Sequence, residues 1–198
     1  MNRLMRSMRL LAMAGVMVAA SQLVGCASVK MGQPAASVDN AVKLRDGSGK
    51  APVAVGAFAL AAGKPASLDQ SVGVRGGNTL ASPIDNSFAQ YLKETLRVEL
   101  EAAQLLDPGA QTRITGTLVD SMLDPGMSTG KGRLEARFVV THADTVKYDR
   151  SLAVESEWES SFVGAVAIPA AVQNYQLMYR NLVGQLFDDA DFRKALAR

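Results

Sequence analysis

The stretch that decides the fold is RLEARFVVT at residues 133–141, in which apolar and polar residues alternate. Successive side chains of an extended chain point to opposite faces, so Leu134, Ala136, Phe138 and Val140 share one face. Two arginines and a glutamate occupy the other face, which therefore favours water. This alternation predicts a strand of an antiparallel sheet that has one buried and one solvated face.

The sequence on either side extends this strand into a sheet. HADT at residues 142–145 is a candidate hairpin turn, and residues 146–158 form its predicted partner strand. The partner strand directs Leu152, Val154, Ser156 and Trp158 toward the core and Glu155, Glu157 and Glu159 toward water. Residues 113–120 also alternate, and the glycine-rich residues 126–132 predict a flexible loop between the strands.

The remaining elements are two shorter strands and three helices. The apolar runs at residues 52–60 and 71–75 are typical of strands. Apolar residues at helical spacing predict one long helix over residues 83–104, with Ser82 as its N-cap, and a second beginning near Pro169. These apolar stripes consist of Ile84, Phe88, Leu92, Leu96 and Leu100, and of Ile168, Val172, Tyr175, Tyr179, Leu182 and Leu186. Asp188 or Asp189 is positioned to cap a short last helix.

This order of elements predicts a single α+β domain. We expect a mainly antiparallel sheet of about five strands, with two long helices packed on one face and a short C-terminal helix.

The N-terminal segment has the features of a secretory signal. Three arginines lie within residues 1–9, and eleven uncharged, mostly apolar residues follow at 10–20. That run is too short to span a bilayer, which needs about 20 residues, so it indicates a signal peptide. The segment ends in Leu23, Val24, Gly25 and Cys26, which resemble the lipobox of bacterial lipoproteins; Cys26 is the only cysteine of the chain.

The lipobox resemblance implies a membrane anchor at Cys26. Leu23, Val24 and Gly25 would be recognised by the signal peptidase, which cleaves before Cys26. The cysteine would carry diacylglycerol on its sulfur and a fatty acyl chain, typically palmitate, on its freed amine. Ala27 is not the aspartate that retains enterobacterial lipoproteins in the inner membrane, so we expect the periplasmic face of the outer membrane. The alternative is an ordinary signal peptide followed by an incidental buried cysteine.

These observations divide the chain into three parts. Residues 1–25 are the predicted signal peptide, residues 26–51 a flexible tether, and residues 52–198 a periplasmic domain. We expect the tether to hold the domain clear of the lipid surface. Cleavage removes three arginines and changes the net charge from +2 to −1.

Composition and motifs exclude most chemistry. Near parity of 21 basic and 19 acidic residues argues against a nucleic-acid binder. One cysteine excludes an internal disulfide, and one histidine excludes the usual zinc sites.

Three short motifs resemble functional sites but are incomplete. Residues 126–131 fall one residue short of a phosphate-binding loop. His142 with Asp144 lacks the serine motif of a hydrolase. Asp188, Asp189 and Asp191 lack the glycine and distal glutamate of a calcium loop. We therefore expect no catalytic residue, no cofactor and no metal.

Two residue groups leave alternatives open. Glu155, Glu157 and Glu159 would either bind a basic partner or form cross-strand ion pairs with Arg133 and Arg137, and ion pairing is favoured. The aromatic residues Trp158, Tyr175 and Tyr179 would either line a ligand groove or pack in the core. Their helical spacing favours core packing for the two tyrosines.

The overall pattern resembles the YajG-like family of uncharacterised bacterial lipoproteins. The resemblance rests on the lipobox, on LRVELEAAQLL at residues 96–106 and on LFDDADFRKAL at residues 186–196. It implies a non-enzymatic outer-membrane lipoprotein that serves as a binding or assembly module for an envelope protein partner. The alternative is an auxiliary lipoprotein of an ABC-type lipid or solute transport system.

Three structural features would separate these functions. An apolar groove between the two long helices would favour lipid handling, and an exposed sheet edge would favour a protein partner. A convergent cluster around His142 would favour a third function, an envelope hydrolase.

Overall fold

The computed structural model describes residues 28–45 and 49–197. Within these ranges the chain forms seven strands in two mixed sheets, together with five helices. The strands are β1 (Ser28–Lys30), β2 (Val53–Leu60), β3 (Val72–Gly73), β4 (Thr79–Ala81), β5 (Thr112–Asp124), β6 (Thr129–His142) and β7 (Thr145–Glu159). The helices are α1 (Val38–Arg45), α2 (Ser67–Gln70), α3 (Phe88–Ala102), α4 (Gly164–Asp188) and α5 (Ala190–Ala195), and a 3-10 turn spans Arg75–Gly77.

The larger sheet has the strand order β2-β5-β6-β7. The β5–β6 and β6–β7 pairs are antiparallel, as predicted, but β2 pairs with β5 in parallel. The expectation of one mainly antiparallel, roughly five-stranded sheet is therefore wrong. The chain leaves β2, crosses through α3 and returns beside β2 as β5, and such a helical crossover makes neighbouring strands parallel.

The smaller sheet has the order β1-β4-β3, in which β1 is parallel and β3 antiparallel to β4. Its strands are two or three residues long. Strands this short show no measurable alternation, so the sequence predicted only the region around β3.

Both long helices pack on one face of the larger sheet, as expected. Phe88, Leu92, Leu96 and Leu100 of α3 are fully buried, which confirms the predicted apolar stripe except for Ile84, which lies before the helix. Between the two helices, the rings of Tyr91 and Tyr179 lie 4.9 Å apart and meet edge to face. The helix interface is thus filled by aromatic packing.

The helix boundaries differ from the predicted ones at their N-termini. Helix α3 begins at Phe88, and its N-cap is Ser87 instead of Ser82, because the Ser87 hydroxyl accepts from the Gln90 N–H at 3.1 Å. Asp85 and Asn86 adopt positive φ angles of 49° and 53°, which no right-handed helix accommodates. Helix α4 begins at Gly164, so the Pro169 expected near its start lies inside the helix.

The predicted tether is wrong for residues 28–45. This segment contains β1 and α1, and its side chains Met31 and Leu44 are buried in the main core. The sequence does not reveal this, because half of the residues of α1 are polar and the helix buries only Asn40, Ala41 and Leu44. Such a short amphipathic element gains its stability from tertiary contacts.

The buried carboxylate of Glu99 in α3 attaches this segment to the domain. Its two oxygens accept from the Ser37 backbone N–H at 3.1 and 3.0 Å, and Oε1 also accepts from Asn40 Nδ2 at 3.0 Å. The Ser37 hydroxyl in turn accepts from the Asn40 N–H at 3.1 Å, which caps α1. Glu99 is fully buried, so these bonds form in a weakly screening environment.

We expect Glu99→Gln to destabilise the protein by about 1–3 kcal/mol, because the new amide turns an N–H group toward donors that need an acceptor. Glu101→Gln, an exposed change on the same helix, is the matched control and should cost less than about 0.5 kcal/mol. Urea unfolding of both variants measures this difference. Equal stability of the two variants would show that Glu99 does not hold the segment.

Candidate functional site

Cys26 and the recognition residues Leu23, Val24 and Gly25 lie outside the described residues. The described chain begins at Ser28, two residues after Cys26, and this position enters β1 directly. Across residues 28–45 and 49–197, no helix combines the length and apolarity needed to cross a membrane.

The β6–β7 hairpin forms where the sequence predicts it. Ala143 and Asp144 connect the strands, with φ angles of 43° and 65°. A two-residue turn with both φ values positive matches the right-handed twist of the two strands. From this turn the strands remain paired as far as Thr129 and Glu159.

The solvated face of the hairpin carries cross-strand ion pairs. Glu155 contacts Arg133 at 2.5 Å and Glu157 contacts Lys131 at 2.8 Å. The ion-pair interpretation is thus confirmed for Glu155 with Arg133, whereas Arg137, the other expected partner, pairs with Asp149. Because these side chains are exposed to water, which screens their charges, the ion pairs contribute little to stability.

The outer edge of β7 over Ser151–Glu159, called the free edge below, is one of the two outer edges of the larger sheet. Strand β7 is last in the sheet order, and no strand within the described ranges pairs with its outer side. Leu152, Val154 and Trp158 on its core face are only half-buried. An edge strand of this length presents a row of N–H and C=O groups to an extended segment.

Helix α5 packs beside the other end of β7 through Asp189. The Asp189 carboxylate accepts from Tyr148 Oη at 3.0 Å and contacts Arg150 at 3.3 Å. It also caps α5 by accepting from the Asp191 N–H at 2.8 Å, as the sequence predicts. The rings of Tyr148 and Phe192 meet edge to face at 5.6 Å. These contacts leave the free edge as the part of β7 that lies beyond α5.

The environment of Asp189 lowers its pKa below the usual 3.8. Burial opposes this shift, but it is outweighed by hydrogen bonds from the Phe192 N–H, the Tyr148 hydroxyl and the Asp191 N–H, and by the charge of Arg150. Among the described residues, no three His, Cys, Asp or Glu side chains converge in a way that would hold a metal ion.

His142 lies at the end of β6 beside Thr112. Its Nδ1 is 2.9 Å from the Thr112 hydroxyl, so a threonine, and not a carboxylate, is the group that pairs with this ring nitrogen. The structure therefore gives no support to a base oriented by Asp144.

Two of the glycines at residues 126–132, Gly130 and Gly132, leave space for neighbouring side chains to pack against the strand. Strand β6 begins at Thr129, so the prediction of a flexible loop through residue 132 is wrong. A Cβ at Gly130 would lie 2.2 Å from Trp158, and one at Gly132 would lie 2.6 Å from Met178 Sδ. Glycine is required at these positions because neighbouring side chains fill the space above the strand.

Tyr175 and Tyr179 are fully buried, so the core interpretation of these tyrosines holds and they line no groove. The structure instead has a polar cavity of about 620 Å³ between α1 and α4, whose lining includes Lys43, Arg180 and Asp188. Lys43 Nζ contacts Asp188 at 2.5 Å in its wall. Sequence reasoning missed this cavity because it did not predict α1.

We expect Asp189→Asn to lower stability at neutral pH by about 1–3 kcal/mol, since asparagine keeps the helix cap but loses the charge. A lowered pKa means that the carboxylate stabilises the fold above pH 3.8 and loses this contribution as the pH falls through the folded-state value. The difference in the free energy of unfolding between the variant and the wild type should therefore become smaller below about pH 4.

Urea unfolding midpoints measured across pH test this expectation. The control is Asp191→Asn, which changes an exposed carboxylate in the same helix. Parallel pH curves for wild type and Asp189→Asn would contradict it.

Comparison with known proteins identifies a shared fold. No protein-family model and no curated protein matches the sequence. A Xanthomonas campestris protein of the DUF330 family is 14% identical, with a TM-score of 0.53 over 81% of this chain and 95% of that one. A lipoprotein from Caulobacter crescentus, described as putative, has 14% identity and a TM-score of 0.41 over 78% and 93% of the two chains. A minor lipoprotein from Acinetobacter baumannii has 10% identity and a TM-score of 0.42 over 72% and 92%. The chain thus has the fold of the Xanthomonas protein.

Proposed function

We propose that this protein is a non-enzymatic bacterial envelope lipoprotein whose domain binds an extended segment of a protein partner. The observation that carries this proposal is the free edge of β7, residues 151–159, which offers unpaired backbone in a domain that directly follows a lipobox cysteine. The proposal includes anchoring at the periplasmic face of the outer membrane and membership of the YajG-like family. Its sequence support is the lipobox, Ala27 and the apolar patterns quoted above.

Lipid at Cys26 would restrict the domain to a thin layer beside the membrane. Two or more acyl chains are enough for stable anchoring, and the lipobox resemblance implies three. Confinement raises the effective concentration of the domain toward any partner in the same layer. The binding surface therefore needs only moderate intrinsic affinity.

The free edge favours a partner segment of particular chemistry. A segment that adds to β7 as a new strand would form main-chain hydrogen bonds and place alternate side chains on the two faces of the sheet. On one face it would lie beside the half-buried Leu152 and Val154, and on the other beside Glu155, Glu157 and Glu159. An extended segment with alternating apolar and basic residues complements both rows.

The same surface suits the transport-auxiliary alternative, with a transporter subunit as the partner. Direct lipid handling by that system would need an apolar groove between the long helices. The Tyr91–Tyr179 and Phe88–Tyr175 contacts, at 4.9 and 5.4 Å, instead fill the space between α3 and α4. If the protein is a transport auxiliary, this packing favours contact with a transporter subunit over direct binding of lipid.

Site-specific photo-crosslinking in cells tests the binding surface. A benzophenone side chain at Ser151, which is exposed on β7, should yield a discrete adduct with one envelope protein. The matched control is Ala59, an exposed small residue on β2 at the opposite side of the same sheet. We expect the adduct from position 151 to be at least several-fold more abundant than any adduct from position 59.

Mass spectrometry of the captured protein should identify the crosslinked segment as an extended one. Equal capture from both positions, or capture of lipid and abundant porins alone, would contradict a specific partner at this edge.

The anchor is tested separately by Cys26→Ser. Without the thiol, no thioether to diacylglycerol forms, so we expect unprocessed or soluble protein instead of mature protein in the membrane fraction. Cell fractionation with immunoblotting measures this. Mature, membrane-bound Cys26→Ser protein would show that the lipobox interpretation is wrong.

A further inference from the structure

The chain enters the described domain at one defined end. Ser28 of β1 pairs with Thr79 of β4, which in turn pairs with Gly73 of β3. Because β1 runs parallel to β4, the chain reaches Ser28 from the side on which Asn78 and the Arg75–Gly77 turn lie. Neighbouring strands are about 4.8 Å apart, so Ser28 lies roughly 10 Å from Gly73.

Two loops of the larger sheet are attached to this end. Arg75 Nη1 donates to the Phe162 carbonyl at 2.7 Å and also to the Ser161 carbonyl. Ser160 joins the second loop, donating through its N–H to the Ser128 carbonyl at 2.8 Å and through its hydroxyl to the Pro125 carbonyl at 2.5 Å. The loops at residues 125–128 and 160–163 therefore lie at the end of the domain from which the chain enters β1.

These loops and the first turn of α4 expose a group of large apolar side chains. The exposed fractions are 68% for Met127, 77% for Phe162, 56% for Val163 and 58% for Val166. We call these four residues the apolar tip. A folded domain normally buries such side chains, and their concentration at one end indicates a surface that contacts something apolar.

We propose that the apolar tip rests in the surface of the membrane that holds Cys26. This inference depends on the proposed lipidation of Cys26. Two residues of chain span at most about 7 Å, so a lipidated Cys26 would lie within that distance of Ser28. The end of the domain that carries the apolar tip is thus the end that covalent geometry holds against the lipid.

The apolar character of the tip suits a lipid interface. Amphipathic elements bury their apolar side chains roughly 5–10 Å deep at the boundary between headgroups and acyl chains. Met127, Phe162 and Val163 lie on loops and Val166 on the first turn of α4, so their insertion at this boundary would not require the sheet to move. Contact at the tip would give the domain one orientation, with the β6–β7 turn directed away from the membrane.

Fluorescence quenching by brominated lipids tests the orientation. The processed lipoprotein, made from the full chain, is reconstituted into vesicles of phosphatidylethanolamine and phosphatidylglycerol with brominated acyl chains. The native indole is first removed by Trp158→Phe; its Nε1 has no hydrogen-bond partner in the described part of the chain, so no bond is lost. Phe162→Trp then reports on the apolar tip, with Val166→Trp as a second reporter.

The matched control is Val146→Trp. Val146 is 56% exposed and lies beside the β6–β7 turn, roughly 45 Å along the hairpin from the apolar tip. We expect the indole at position 162 to be quenched several-fold more strongly than the indole at position 146.

The outcomes separate this inference from the anchor itself. Protein that floats with the vesicles while both indoles are quenched weakly or equally overturns the membrane-facing tip and leaves the anchor intact. Protein that lacks lipid on Cys26 by mass spectrometry, or that does not float, overturns the anchor and the tip together.

Discussion

The buried carboxylate of Glu99 is the interaction on which the attachment of residues 28–45 to the domain depends. It accepts hydrogen bonds from Ser37 and Asn40 and so joins residues 28–45 to α3. Helix α1 buries only Asn40, Ala41 and Leu44, so these bonds are a large part of what attaches it to the domain. Residues 28–45 are therefore part of the folded domain, and the expected spacer between lipid and domain is absent from this segment.

The attachment of residues 28–45 to the domain relates the position of Cys26 to the apolar tip and to the free edge. Strand β7 ends at Glu159, next to the apolar tip, and its free edge extends from there for roughly 25–30 Å. A domain held at the tip would present this edge at increasing distance from the membrane. The apolar tip and the free edge then lie on different parts of the domain, so membrane contact and partner binding can occur at the same time.

The sequence predicted the elements that have strong periodicity. The alternation around Leu134 and Phe138 correctly predicted the hairpin, and the apolar stripes correctly predicted both long helices. The parallel β2–β5 pair and the short strands of the smaller sheet escaped prediction, because they depend on tertiary pairing and not on local pattern. Glu99 escaped because a glutamate in a helix normally faces water, and only its distant partners Ser37 and Asn40 explain its burial. The free edge was foreseen only as one of two contact surfaces, since sheet order cannot be derived from alternation.

Backbone amide hydrogen exchange of the mature lipoprotein tests the central claim most directly. If Glu99 holds the N-terminal segment in the fold, the helical amides of α1 that donate within the helix should be protected at least a hundredfold over an unstructured chain, and Glu99→Gln should lose this protection while α4 keeps its own. Exchange of residues 28–45 at the rate of an unstructured chain in the wild-type protein would contradict the account.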